Sequence, residues 1–282
     1  MKEALFYEKQ GEGSVVCGLC PHGCFIARGA VGLCGIRRNI GGMLFAESYG
    51  CISSLSLDPI EKKPLKRFYP GSLILSVGSC GCNMKCAYCQ NYKISQQKPE
   101  YKPAPPKELL RMAENTADNI GIAFTYNEPL VGIEYVLDAA PLFKDAGLKT
   151  VLVTNGMINA GPLEVLLPYT DAMNIDVKAF DAARYKDLGG DLPTVMKTVE
   201  KSAAVCHVEI TSLIVPGQND REEDMLALAE WLAGISPEIP LHVSRFFPRY
   251  KMPDGEPTPV ETMKTLAESA RKFLKHVYLG NI

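Results

Sequence analysis

Charge of neither sign dominates this chain. Its 282 residues carry 30 Lys+Arg against 32 Asp+Glu, a formal net charge of −2. It therefore lacks the broad basic field that gathers nucleic acid, and no nucleic-acid partner is expected. Long apolar runs are missing too. None approaches the ~20 residues a membrane-spanning helix needs, so no membrane partner is expected. The opening MKEALFYEKQGEGS is charged throughout and has no apolar stretch of the kind a secretory signal carries. Internal repeats and low-complexity segments are absent. The 46% hydrophobic, 22% charged and 8% aromatic composition is that of an ordinary globular chain, and a cytoplasmic location is expected. A chain this long can bury a core, as one large α/β domain or two smaller ones, without covalent staples.

Cysteine is what the chain has in quantity, ten in all. Their spacing matters more than their number. Cys17, Cys20, Cys24 and Cys34 form one set and Cys82, Cys86 and Cys89 another, while Cys51, Cys80 and Cys206 stand apart. Thiols clustered in a reduced compartment point to metal or iron–sulfur ligation rather than to disulfides.

Residues 1–70 are rich in Gly, Cys and charge and read as a small Cys-rich N-terminal module. From residue 71 to 282 the text changes. Short aliphatic or β-branched runs recur at Leu73–Val77, Gly121–Tyr126, Thr150–Thr154, Met173–Val177, His207–Val215 and Leu241–Phe246, each followed by turn residues, and each predicts a buried strand. A further strand is expected at 276–279. Helical patterns lie between them. Pro106 opens one. Asp220 and Glu223 have capping-box spacing ahead of a second, and Thr258, Pro259 and Glu261 read as the start of a third. Six strand–helix alternations imply a parallel sheet with helices outside. Six are too few for a closed eight-unit barrel, so the expectation is an α/β fold, a partial (β/α)6 parallel barrel, with its chemistry at the carboxyl ends of the strands.

Cys82-Asn-Met-Lys-Cys86-Ala-Tyr-Cys89 is a C-x3-C-x2-C loop directly after the first predicted strand. Three thiolates on one loop can hold three irons of a [4Fe–4S] cube and leave the fourth iron open, as catalytic zinc sites leave one position open. The plainer alternatives are a zinc loop or unrelated thiols. Zinc normally takes four ligands, and no fourth Cys or His follows at short range. Two further strand ends carry chemistry. Thr154-Asn155-Gly156 closes the third predicted strand. Asp176 and Lys178 end the fourth, two residues apart and so on one face, where burial is costly unless they pair or meet a charged ligand. A structural ion pair is the plain reading of that spacing.

The C-x3-C-x2-C loop resembles the motif of the radical S-adenosylmethionine (SAM) superfamily. With Asp58-Pro-Ile-Glu-Lys-Lys-Pro-Leu65, Pro70-Gly71, Gly81-Cys82-Asn83, Cys89-Gln-Asn91 and Thr125-Tyr-Asn-Glu-Pro129, the chain resembles, over essentially its whole length, the radical SAM member of the AmmeMemoRadiSam system. That family is related to the pyruvate formate-lyase activating enzymes. The resemblance implies a [4Fe–4S] cluster on Cys82, Cys86 and Cys89, and SAM cleaved to a 5′-deoxyadenosyl radical that abstracts hydrogen. It implies a reductant such as a ferredoxin or flavodoxin, and a protein or peptide substrate. It also implies roles for cofactor-binding residues: Glu128 and nearby carbonyls at the SAM ammonium, Asp176 and Lys178 touching SAM, and Tyr88 packing adenine. Asn127, Thr154 and Asn155 join this set. Tyr126 and Asn127 stand where the activating enzymes carry two glycines. An N-terminal helix cap is the plain alternative for Asn127, and a satisfied core position is the plain reading of His242.

Cys17, Cys20, Cys24 and Cys34 are numerous enough to close a zinc site or a second iron–sulfur cluster, and three readings stand open: zinc, a cluster, or free thiols. Lys62, Lys63, Lys66 and Arg67 read as a solvated basic patch. Two other functions also remain open at this level. One is radical chemistry on a small molecule. The other is an iron–sulfur electron carrier or metal scaffold that cleaves no SAM, against which the TYNEP and DVK segments argue.

Overall fold

The aliphatic runs pair side by side in the order they occur along the chain. In the computed structural model, which describes residues 1–282, the main sheet holds β1 (Ser54–Pro59), β2 (Leu73–Gly78), β3 (Asn119–Phe124), β4 (Lys149–Thr154), β5 (Ala172–Asp176), β6 (His207–Ile214), β7 (Leu241–Arg245) and β8 (Val277–Gly280). Neighbours in space are neighbours in sequence, from β8 at one edge to β1 at the other. Strands β2 to β8 run parallel, whereas β1 is antiparallel to β2. Edges β1 and β8 are not paired with each other, so the barrel is open.

Helices α1 (Pro106–Glu114), α2 (Ile133–Asp145), α3 (Ala160–Leu166), α4 (Ala182–Asp187), α5 (Leu192–Ala203), α6 (Glu222–Ile235) and α7 (Val260–Arg271) form the crossovers. Apolar residues on their inward faces, such as Leu109 and Ala113 of α1 and Met263, Leu266 and Ala270 of α7, are buried against the sheet. One continuous core of 56 buried residues runs from Ala4 to Val277. All seven strands expected from residue 71 onward form, within two residues of their expected ends.

Three local readings change. The division expected at 70/71 cuts through the sheet, because Ser54–Pro59 pairs with β2 over its full length. That strand alternates weakly, with Leu55 and Leu57 exposed on the open edge, and so gave no strong periodic signal. Asp220 does not cap α6. Its carboxylate accepts from the Gly217 N–H at 3.0 Å, closing the preceding turn, and Arg221 stands at the cap position with no side-chain bond to the helix backbone. Thr258 does not cap α7 either, since its hydroxyl donates to Ile214 O at 2.6 Å and so ties the ends of β6 and β7 together.

Residues 1–53 form small antiparallel hairpins: Tyr7–Lys9 with Val15–Cys17 and Phe25–Ile26, and Lys2–Glu3 with Met43–Ala46 and Arg37–Ile40. A buried ion pair attaches them to the barrel. Arg37, 1% exposed, places Nη1 2.9 and 3.1 Å from the two oxygens of Glu134 in α2, itself 0% exposed. The same guanidinium donates to Leu5 O, and Glu134 accepts from the Leu5 N–H.

Candidate active site

Parallel strands point their carboxyl ends at one face of the sheet, and here those ends enclose an open cavity of ≈ 320 Å³. Cys82, Cys86 and Cys89 line it from the loop after β2. Across from them the wall is made by Asn127 and Glu128 after β3, Thr154 and Asn155 at the end of β4, and Asp176 and Lys178 at the end of β5, with Tyr88 from the cysteine loop. Every residue expected at a cluster or cofactor site from position 82 onward therefore faces one space.

Glu128 is 3% exposed, yet its carboxylate is well supplied with donors. Oε1 accepts from the Thr154 hydroxyl at 2.7 Å and the Leu130 N–H at 3.0 Å, and Oε2 from the Asn155 N–H at 2.8 Å. Burial nevertheless outweighs these bonds and raises its pKa from 4.5 to about 7. Glu128, not Asn127, caps the following helical turn. Asn127 is used elsewhere. Its amide donates to Cys80 O at 3.0 Å and Gly81 O at 3.1 Å, and its carbonyl accepts from the Ser79 N–H, so it braces the loop just ahead of Cys82. Asn155 extends the bracing: its amide bonds Asn83 Oδ1 at 2.9 Å, and Asn83 in turn donates to Met157 O.

Lys178 Nζ lies 2.7 Å from Asp176 Oδ2, both side chains partly open to the cavity. Burial works against the ammonium, but Asp176 holds it protonated well above the usual lysine range. The thiols of Cys82 and Cys86 are pushed up, chiefly by burial, so a metal must displace their protons to bind. Tyr88 is buried and packs edge-on to Phe246, centroids 6.3 Å apart.

Sequence reasoning missed one side of the cavity. Lys63, read as part of a solvated patch, is 2% exposed and lies 2.8 Å from Asp58, which also accepts from the Tyr126 hydroxyl at 2.7 Å. Lys62, Lys63 and Tyr126 line the cavity. Lys62 remains exposed at the mouth. The signal was present in Asp58 and Lys63 sharing one short segment, but nothing local says that Tyr126 closes over them. His242 is the satisfied core residue its spacing suggested, with Nε2 2.6 Å from buried Glu209.

The donor set suits a [4Fe–4S] cluster with an open iron: three thiols on one tight loop, beside a cavity that also presents carboxylate and ammonium groups. The sequence profile of the Radical SAM superfamily matches residues 76–229, more than half of the chain. The chain belongs to the radical SAM superfamily. An uncharacterized protein of Methanocaldococcus jannaschii is 41% identical over 289 residues, spanning 100% of this chain and 86% of that protein. A pyruvate formate-lyase-activating enzyme of Clostridium pasteurianum is 29% identical, over 55% of this chain and 67% of its own. Among solved structures, a radical SAM methyltransferase from Sphaerobacter thermophilus shares the fold with a TM-score of 0.57 at 16% identity, covering 75% of this chain and 67% of that one. The radical SAM protein described here is thus an enzyme, and membership implies a [4Fe–4S] cluster and SAM as its cofactors. No helix in it is long and apolar enough to cross a membrane.

Proposed function

We propose that Cys82, Cys86 and Cys89 ligate the [4Fe–4S] cluster and that SAM occupies the ≈ 320 Å³ cavity beside them, serving hydrogen abstraction from a protein or peptide substrate. The observation that carries this reading is the convergence of the three thiols, Glu128 and the Asp176–Lys178 pair on one cavity. Bound together, cluster and SAM supply a 5′-deoxyadenosyl radical once an electron arrives from a reductant such as a ferredoxin or flavodoxin.

The chain's own residues orient and shield. Three of the roughly four acceptor positions on the Glu128 carboxylate are filled by protein donors, so about one remains, on Oε2, for a ligand ammonium. A cation docking there favours the ionised carboxylate and draws its pKa back down. Lys178, kept charged by Asp176, offers a donor to a ligand carboxylate. Tyr88, backed edge-on by Phe246, contributes an apolar wall suited to a flat ring. The unpaired edges of β1 and β8 support the macromolecular substrate, because the cavity reaches Lys62 near one edge and Asn281 just past the other. The activating-enzyme relative supports it from its name.

Anaerobically reconstituted, chemically reduced protein is expected to form 5′-deoxyadenosine from SAM, and Cys86→Ala to form none. An intact cluster whose EPR signal does not change when SAM is added, together with no 5′-deoxyadenosine, would sink the reading.

A further inference from the structure

Cys17, Cys20, Cys24 and Cys34 lie outside the cavity just described. All four line a second, much smaller one of ≈ 10 Å³ under the N-terminal hairpins. Cys17 ends one hairpin strand and Cys24 precedes the next, with the Cys17 N–H donating to Cys24 O at 2.9 Å, so the C-x2-C-x3-C segment Cys17–Cys20–Cys24 spans the tip. Gly23 (φ +52°) makes that tip, and Gly35 (φ +81°) turns the chain directly after Cys34. Leu19, Ile26 and Val131 supply the apolar remainder of the wall. A space of this size admits about one water-sized atom, the scale of a single ion.

A second observation points to an anionic occupant. Arg37 lines the same cavity, and its Nε–H is a buried donor with no partner, although Nη1 bonds Glu134 and Val131 O and Nη2 bonds Leu5 O. Arg37 sits beside Cys17 and Cys34. Thiolates bound to a metal are the acceptors such a donor lacks.

We propose that Cys17, Cys20, Cys24 and Cys34 bind one zinc ion in a closed, tetrahedral, all-thiolate site whose charge is met by Arg37 Nε–H. Binding takes Zn²⁺ and four thiols to a tetrathiolate of charge −2 with release of four protons. The cysteines stand as free thiols, and no set of three or more Cys, His, Asp or Glu side chains in the chain is drawn to metal-binding distance. That holds equally for the Cys82–Cys86–Cys89 loop, so rotation of the thiols about Cα–Cβ is needed at both places. The zinc site is structural, with no open position, and its value to the enzyme is mechanical. Cys34 O accepts from the Cys82 N–H at 3.3 Å, and the His22 ring lies 2.7 Å from Asn83 O, so this corner backs directly onto the cluster loop.

The test uses the full chain, purified anaerobically with thiol reductant from zinc-supplemented cells, and does not depend on SAM cleavage. Elemental analysis is expected to find about one zinc per chain, and X-ray absorption at the zinc edge to find four sulfurs at about 2.3 Å. Cys24→Ser is expected to cut zinc at least about tenfold, while Cys86→Ala lowers iron and leaves zinc unchanged. Should Cys24→Ser fail to fold, the absorption spectrum of the unmutated protein decides alone. Substoichiometric zinc, or nitrogen or oxygen ligands in place of sulfur, overturns the proposal, and iron in excess of one [4Fe–4S] cube per chain in the unmutated protein replaces it with a second cluster.

Discussion

Glu128 offers a test of the site's electrostatics that needs neither cluster nor SAM. Its pKa is about 7 in the folded chain against an ordinary 4.5. A carboxyl raised on folding binds a proton more tightly folded than unfolded, so stability falls as pH rises between the two values and levels off above the upper one. At ~1.4 kcal/mol per pH unit the whole effect is about 3 kcal/mol, of which about 2.5 lies between pH 5 and pH 8. Glu128→Gln removes the titration and keeps one acceptor oxygen for Thr154 and Leu130. Urea denaturation of the reduced, metal-free chain, wild type beside Glu128→Gln, isolates it, because every other titrating group is common to both. The wild type is expected to lose about 2.5 kcal/mol relative to the variant across that range. A difference that stays constant within about 0.5 kcal/mol would refute the reasoning, since it would mean that the three donors compensate burial completely.

The Arg37–Glu134 pair is buried on both sides, so Glu134→Gln, which strands the guanidinium, is expected to destabilise by about 3–5 kcal/mol. A double-mutant cycle with Arg37→Met should show the two costs to be strongly non-additive, and additivity within about 0.5 kcal/mol would exclude the pair as the attachment of the hairpins. Gly81 has φ +87°, and a Cβ there would stand 2.7 Å from Ile36 Cγ2 and 2.8 Å from Cys34 O. Gly81→Ala is therefore expected to cost about 2 kcal/mol or more and to lower iron incorporation, both read on the anaerobically purified protein; a variant with wild-type iron and stability would show that the loop does not need this approach.

What was legible followed from periodicity. Seven parallel strands are largely buried and come out as short, mostly aliphatic runs, because helices cover one side and the barrel interior the other. The strand at Ser54–Pro59 was not legible, because an edge strand with Leu55 and Leu57 facing outward has no buried pattern to display. Cap residues misled for a related reason. Asp220 and Thr258 have the right chemistry at the right spacing, but a turn and a strand end compete for the same hydroxyl or carboxylate, and those contacts come only with the tertiary fold. Lys63 is the sharper case. Beside Lys62 it reads as surface, and only the arrival of Asp58 and Tyr126, the latter 63 positions further on, makes its burial tolerable.

The Tyr126–Asn127 pair shows why the residues of a site can be named before their work is known. In sequence, these two side chains stand where the resembling activating enzymes carry glycines, and nothing local says what they add. In the fold, each reaches to a different partner. Tyr126, held at φ 69°, extends its hydroxyl to Asp58 and carries the Lys63 ammonium 4.6 Å from its ring centre. Asn127 joins Ser79, Cys80 and Gly81 with three hydrogen bonds. Glycine could do neither. The departure from two glycines therefore exchanges free backbone for side chains that fix the loop ahead of Cys82 and the wall facing Asp58. It leaves Glu128, the next residue, with its cap, its three donors and its place on the cavity.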